Sequence, residues 1–387
     1  TNGDIYGNID VILNGAVESL VGGCYNGDVT GNIDITVNGQ VKAGGSNADW
    51  EIGNVPQWFD GYVNAGCFEG TLTGNTKTTI GKDGVVYAVL GGCDNGAMIG
   101  DAQIHVYGKV IKGDRDEYKN ADRLTQYSGS IFGGSYMTSS GLDMSKQEGD
   151  TKVIVYDGAT VEGDVYGGGC YTSLTGNSNV IVSGQVNGNV YGGGLVPDGE
   201  SIFSYRDKVY YIGYVSESSY VELNGNASAN DVYGAGCFGD IFNGEIVLKD
   251  NATVQNVCGT GNSYYKCWRK GTEYTYVQKS VPCSDVQGDV SISIQDNAVV
   301  KDAIYGYKFY TSQKGTTEKA VDGKAEVFFE HSTGDFKRVE NADLVQVTDS
   351  SKVMIDNEHQ DDAQLVNVSD LTIDEYATLT LGANAHI

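Results

Sequence analysis

From Asn179 to Val190 the apolar residues Val180, Val182, Val186 and Val190 share one parity, and mostly polar residues take the other. A period of two describes a strand with one buried face. The same alternation returns at Ile33-Asp34-Ile35-Thr36-Val37, Ile104-His105-Val106-Tyr107, Val221-Glu222-Leu223 and Val290-Ser291-Ile292-Ser293-Ile294. Each stretch is short and ends at Asn-Gly, Asp-Gly, Ser-Gly or Asp-Asn, the residues that turn a chain. No segment sustains an apolar 3.6-residue period over three turns, and 55 glycines disfavour helix throughout.

Between the strands a phrase recurs, an aliphatic residue and usually an aromatic one followed by two or three small residues. It reads Leu20-Val21-Gly22-Gly23-Cys24, Val63-Asn64-Ala65-Gly66-Cys67, Ile131-Phe132-Gly133-Gly134-Ser135, Val165-Tyr166-Gly167-Gly168-Gly169-Cys170 and Val232-Tyr233-Gly234-Ala235-Gly236-Cys237, among others. Val165 to Val190 and Val232 to Val257 are both intervals of 25 residues, and longer intervals contain insertions. Such a period defines a solenoid, because each unit buries its apolar face only by stacking on its neighbours. Four-stranded propeller blades need about 40 to 50 residues per unit. The sequence therefore predicts an all-β chain: a parallel β-helix with coils of about 25 residues and aromatic loop or hairpin insertions.

The glycine-rich phrase fits corners that need close backbone approach. It matches neither a phosphate-binding loop nor a calcium-binding repeat that recurs every nine residues. From about Ala320 the phrase stops while strand-like pieces continue, so residues 1–310 read as a glycine-rich β-helix with insertions and 311–387 as smaller terminal coils of the same rod. Leu344 to Leu365, at 21 residues, marks the terminal repeat. The chain ends without an evident polar cap, which predicts either continuation or cover by another subunit.

Phrases such as Asp164-Val165-Tyr166-Gly167-Gly168-Gly169 and Asn189-Val190-Tyr191-Gly192-Gly193-Gly194 resemble the glycine-rich β-helical repeat regions of bacterial cell-surface proteins described as adhesin-like. The resemblance covers roughly residues 1–305, is specific for architecture and not for activity, and implies right-handed winding, extracellular display and attachment to a surface.

Composition narrows the partners. With 51 acidic against 25 basic residues the formal charge is −26, which disfavours nucleic acid and anionic membranes. No apolar run reaches membrane-spanning length. No cofactor is expected; calcium would suit the acidity, but no residues localise it. The expected partners are a glycan, a protein, or further copies of the chain.

Three residue sets stand out. Trp50, Trp58, Phe59, Tyr205, Tyr211, Tyr265, Trp268 and Tyr274 fall in insertions, where rings suit sugar faces or protein hot spots and also suit anchoring a hairpin on the rod. Alternation predicts hairpins turning at Arg206-Asp207-Lys208 and Arg269-Lys270-Gly271. Phe132, Tyr166, Tyr191, Tyr233 and Tyr305 repeat at one position, with parity opposite to the buried valines. They predict either an exposed aromatic stripe or a structural ladder. Cys24, Cys67, Cys93, Cys170 and Cys237, with Ser135 in the equivalent slot, predict one stacked row of small buried thiols. Cys267 and Cys283 share one long insertion that a disulfide could close, and Cys258 replaces the aromatic of the phrase.

Enzymatic readings find little support in the motifs. Asp361-Asp362 lacks the basic residue expected beside it in a lyase, and His105, His331, His359 and His386 fit no nucleophile or metal-ligand pattern. The sequence favours a non-enzymatic surface solenoid that binds glycan or protein through its aromatic insertions. A filament subunit stacking end to end and a polysaccharide lyase or hydrolase are the alternatives.

Overall fold

The computed structural model describes residues 3–42, 61–113, 128–136, 146–196, 202–205, 208–211, 214–262, 264–269, 272–277, 285–311, 317–355 and 365–382. The architecture is a parallel β-solenoid, and no helix occurs among the described residues. Each regular coil has four segments. A corner strand such as Val29–Thr30 leads through a Gly-Asx turn into a long strand, Ile33–Val37. A short strand, Gln40–Val41, follows, and then a ring strand such as Tyr62–Asn64 leads to the glycine corner.

Every segment pairs in parallel with its equivalent one coil away. Ile9–Leu13 lies against Ile33–Val37, and that strand against Thr76–Ile80. The ladder of long strands runs on to Leu365–Ile373. Coil length is 24 to 26 residues where nothing is inserted. Backbone groups are thus satisfied from coil to coil, which short strands cannot achieve within one coil.

Alternating residues of the long strands fill the interior. Ile33, Ile35 and Val37 stack under Thr76, Thr78 and Ile80, then under Ala102, Ile104 and Val106, all buried. Short strands add Val41, Val86, Val110 and Val161, while ring strands add Val63, Val89, Ile131 and Val165. Hydroxyls at the first inward position bridge two segments. Thr151 donates to the Gly167 carbonyl, and Ser178 to that of Gly192.

A second ladder fixes the turn into the long strand. Gly7, Gly31, Gly74, Gly100, Gly149 and Gly176 all have φ between +130° and +154°. The Asx residue after each turns its side-chain oxygen toward the next coil. Asn8 accepts from the Asn32 amide, Asn32 from Asn75, Asn75 from Asp101, and Asp101 from Asp150, at 2.8 to 2.9 Å.

Insertions leave the rod at its corners. Ile202–Tyr205 with Lys208–Tyr211, and Tyr264–Arg269 with Thr272–Val277, form antiparallel hairpins where alternation expects them; Phe309–Thr311 with Thr317–Lys319 adds another.

The terminal coils differ from the sequence expectation. Leu344 pairs with Asp370, and Leu365 with Val339. The interval of 21 residues therefore joins positions from different segments, and the terminal repeat is 26, as between Asn341 and Asn367. What shrinks is the cross-section. Strands Arg338–Thr348 and Leu365–Ile373 run from ring segment into long segment without a glycine corner or corner strand. Left-handed Asn341 and Asn367 (φ +55° and +54°) make that passage instead.

Corner packing generates a stability prediction. A methyl group added at Gly91 would collide with the carbonyl of Gly133 one coil along, while one at Gly15 meets open space. Gly91→Ala is expected to cost about 1 to 3 kcal/mol, as overpacked cores do, and Gly15→Ala to be neutral. Urea unfolding of the two variants measures the difference.

Candidate functional site

The predicted residue sets divide in space. Trp50, Trp58, Phe59 and Cys283 lie outside the described residues. Tyr205, Tyr211, Tyr265, Cys267, Trp268 and Tyr274 sit on hairpin strands described by their backbone.

The repeated aromatics form an interior ladder, so the exposed-stripe alternative is corrected. Phe132, Tyr166, Tyr191 and Tyr233 stack with centroids 4.7 to 4.9 Å apart and planes within 8° of parallel. Tyr191 is only 1% exposed. They do point away from the valine core, as parity requires, but the chain folds back after the glycine corner. Cys170, Leu195, Val196 and Phe238 then close a second apolar cluster over the rings. Each hydroxyl is met by the polar residue two positions earlier: Tyr166 donates to Asp164, Asn189 donates to Tyr191, and Tyr233 donates to Asp231. Tyr305 ends the row half-buried, under the Lys308 ammonium, which also lies over Tyr233.

The cysteines occupy two rows. Cys24, Cys67 and Cys93 face the main core, and Ser135 continues their row; the Ser135 hydroxyl accepts from the Cys93 amide. Cys170 and Cys237 belong to the second cluster. The Cys170 amide donates to the Ser135 carbonyl, which places Cys170 one position beyond that row. The cause is one extra small residue in the corners before Cys170 and Cys237, and one position of slip reverses the side chain. Cys24, Cys67, Cys93, Cys170, Cys237 and Cys258 are all buried.

The row containing Cys170 also holds Asp94, next to Tyr136. Asp94 is 3% exposed, and its Oδ1 has no hydrogen-bond partner. Burial, aided by nearby Glu69, pushes its carboxyl up to about 8. Asp240 and Asp285, in adjacent coils, are pushed to about 7, again mainly by burial. Among the described residues no group of three or more His, Cys, Asp or Glu could hold a metal ion.

A polar and aromatic cluster lies on the outer face of the long strands. Lys77, Gln103 and Lys152 occupy one outward row in successive coils, and Thr79, His105 and Ile154 the next. Tyr107 and Tyr156, at the strand ends, stack at 4.0 Å, and Tyr156 Oη lies 3.0 Å from His105 Nδ1. His105 Nε2 lies 3.5 Å from Gln103 Oε1. Burial, then Lys77 and Lys152, lowers the His105 pKa, with Asp34 opposing. Lys77 reaches Asp34 at 3.9 Å, a loose exposed pair of little energetic weight. Lys152 makes no ion pair among the described residues. Period-two alternation alone does not reveal this cluster, because its members come from three coils, with Lys77, Gln103 and Lys152 at intervals of 26 and 49 residues, and only the register unites them.

No protein-family model, curated protein or solved structure matches this chain.

Asp94 gives the solenoid a pH dependence. With a folded pKa of about 8 against an ordinary value near 4, the folded state holds the extra proton between those limits. Stability contributed by this residue therefore falls as pH rises through that window, by up to about 1.4 kcal/mol per unit, and levels off above it. Asp94→Asn is expected to flatten the decline. Urea unfolding of both proteins at pH 5 and pH 8 tests the sign.

Proposed function

We propose that the protein is a non-enzymatic, extracellular, adhesin-like β-solenoid that presents binding groups for a glycan or protein on a stiff rod. The observation supporting this most directly is the outer long-strand face. There, in-register pairing gathers Lys77, Gln103, His105, Tyr107, Lys152 and Tyr156 from distant sequence positions onto one side. A parallel ladder repeats its outward positions about every 4.8 Å, so the face offers regularly spaced contacts along an extended ligand. The aromatic insertions containing Trp58 and Trp268 supply a second candidate surface.

Screening the chain against arrayed glycans and matrix proteins tests this reading. Binding to a subset is expected, reduced at least tenfold by changes in the face or by Trp58→Ala or Trp268→Ala. Absence of binding across the arrays would defeat it, and release of unsaturated or reducing-end products from polysaccharides would defeat its non-enzymatic part.

A further inference from the structure

The outward positions of the long strands change character along the rod. Before the face described above they carry Asp34, and after it Glu222 and Glu245. Over the four coils between, the positions are Lys77, Thr79, Gln103, His105, Lys152, Ile154, Asn179 and Ile181, without a carboxylate. On a chain with 51 acidic residues, this strip of strand positions carries two lysines and no carboxylate, with Asp34 beside Lys77 and with Asp101 and Asp150 at the turns before Gln103 and Lys152.

We propose that this strip is a saccharide subsite that receives the carboxylate of one acidic sugar residue between Lys77 and Lys152, above Gln103 and beside His105. The inference rests on the binding reading given above and specifies its ligand.

Geometry supports the seat. Gln103 pairs with Lys77 on one side and Lys152 on the other, so the lysines root about 10 Å apart, two rungs of a parallel ladder. A carboxylate above Gln103 lies within reach of both ammonium groups, which act as flexible point charges. The Gln103 side chain and the His105 ring, already in contact range, add polar partners. The stacked Tyr107 and Tyr156 rings border the seat. In their row the preceding position is Gly81, over which the Asn38 side chain reaches from the coil before. The half-buried rings themselves offer an edge against which the C–H groups of a pyranose can pack.

The overall charge selects among acidic ligands. A polyanion would meet repulsion from the flanking coils, whereas one carboxylate on an otherwise neutral glycan feels mainly groups within the screening length of about 8 Å. The groups facing His105 are Lys77, Lys152, Asp34, Gln103 and Tyr156. A bound carboxylate favours the imidazolium, so binding takes up a proton. Affinity rises as pH falls through the lowered His105 value, until the sugar acid itself is neutralised.

Isothermal titration of the full chain with a glucuronic-acid-terminated disaccharide and its glucose-terminated counterpart tests the subsite. The acidic sugar is expected to bind at least tenfold more tightly. Lys77→Gln combined with Lys152→Gln should remove that advantage, and His105→Gln should remove the pH dependence. Gln103→Glu, which puts a carboxylate at the seat, should weaken binding as much as the double substitution. Circular dichroism melts identify any variant that loses its fold. Equal affinity for the two sugars, or an acidic preference that survives in both folded variants, would overturn the subsite. If glycan binding elsewhere persisted, the broader reading would stand; absence of glycan and protein binding altogether would overturn both.

Discussion

The contact on which this structure depends is between backbone and backbone at the glycine corner. The carbonyl of Gly133 lies where a side chain on Gly91 would be, and the carbonyls of Gly167 and Gly192 stand in the same relation to Gly133 and Gly167. Coils can approach to β-ladder spacing at this corner only if the position stays bare. Once they do, register is fixed for the whole coil, because every segment shares the same rise. The valine core, the aromatic ladder, the Asx ladder and the two thiol rows are all consequences of that lock.

Register also explains how one fold supports two apolar clusters. Inward positions of the ring strand feed the main core, and the outward ones would face water in an ordinary solenoid. Here the glycine corner turns the chain back over them, so tyrosine rings can be buried with their hydroxyls met by Asp164, Asn189 and Asp231. Burying a hydroxyl with its partner avoids the penalty of an unpaired polar group. Asp94, with an unpartnered Oδ1 in the same cluster, shows the opposite case, and its raised pKa is the result.

Much of this was legible in the sequence, and the omissions have physical causes. Coil length, strand parity and the hairpins at Ile202–Tyr211 and Tyr264–Val277 follow from periodicities that a single segment contains. The thiol rows did not emerge from matching each cysteine to its glycines. Counting from the preceding aliphatic residue separates them: Cys93 is four positions after Val89, and Cys170 is five after Val165. The Gly-Asx ladder was visible in Gly31-Asn32, Gly74-Asn75 and Gly100-Asp101, but those pairs resemble ordinary turns until their 24-to-43-residue partners are known. The His105 face was illegible for a stronger reason. Its residues come from separate coils, with insertions of unequal length between them.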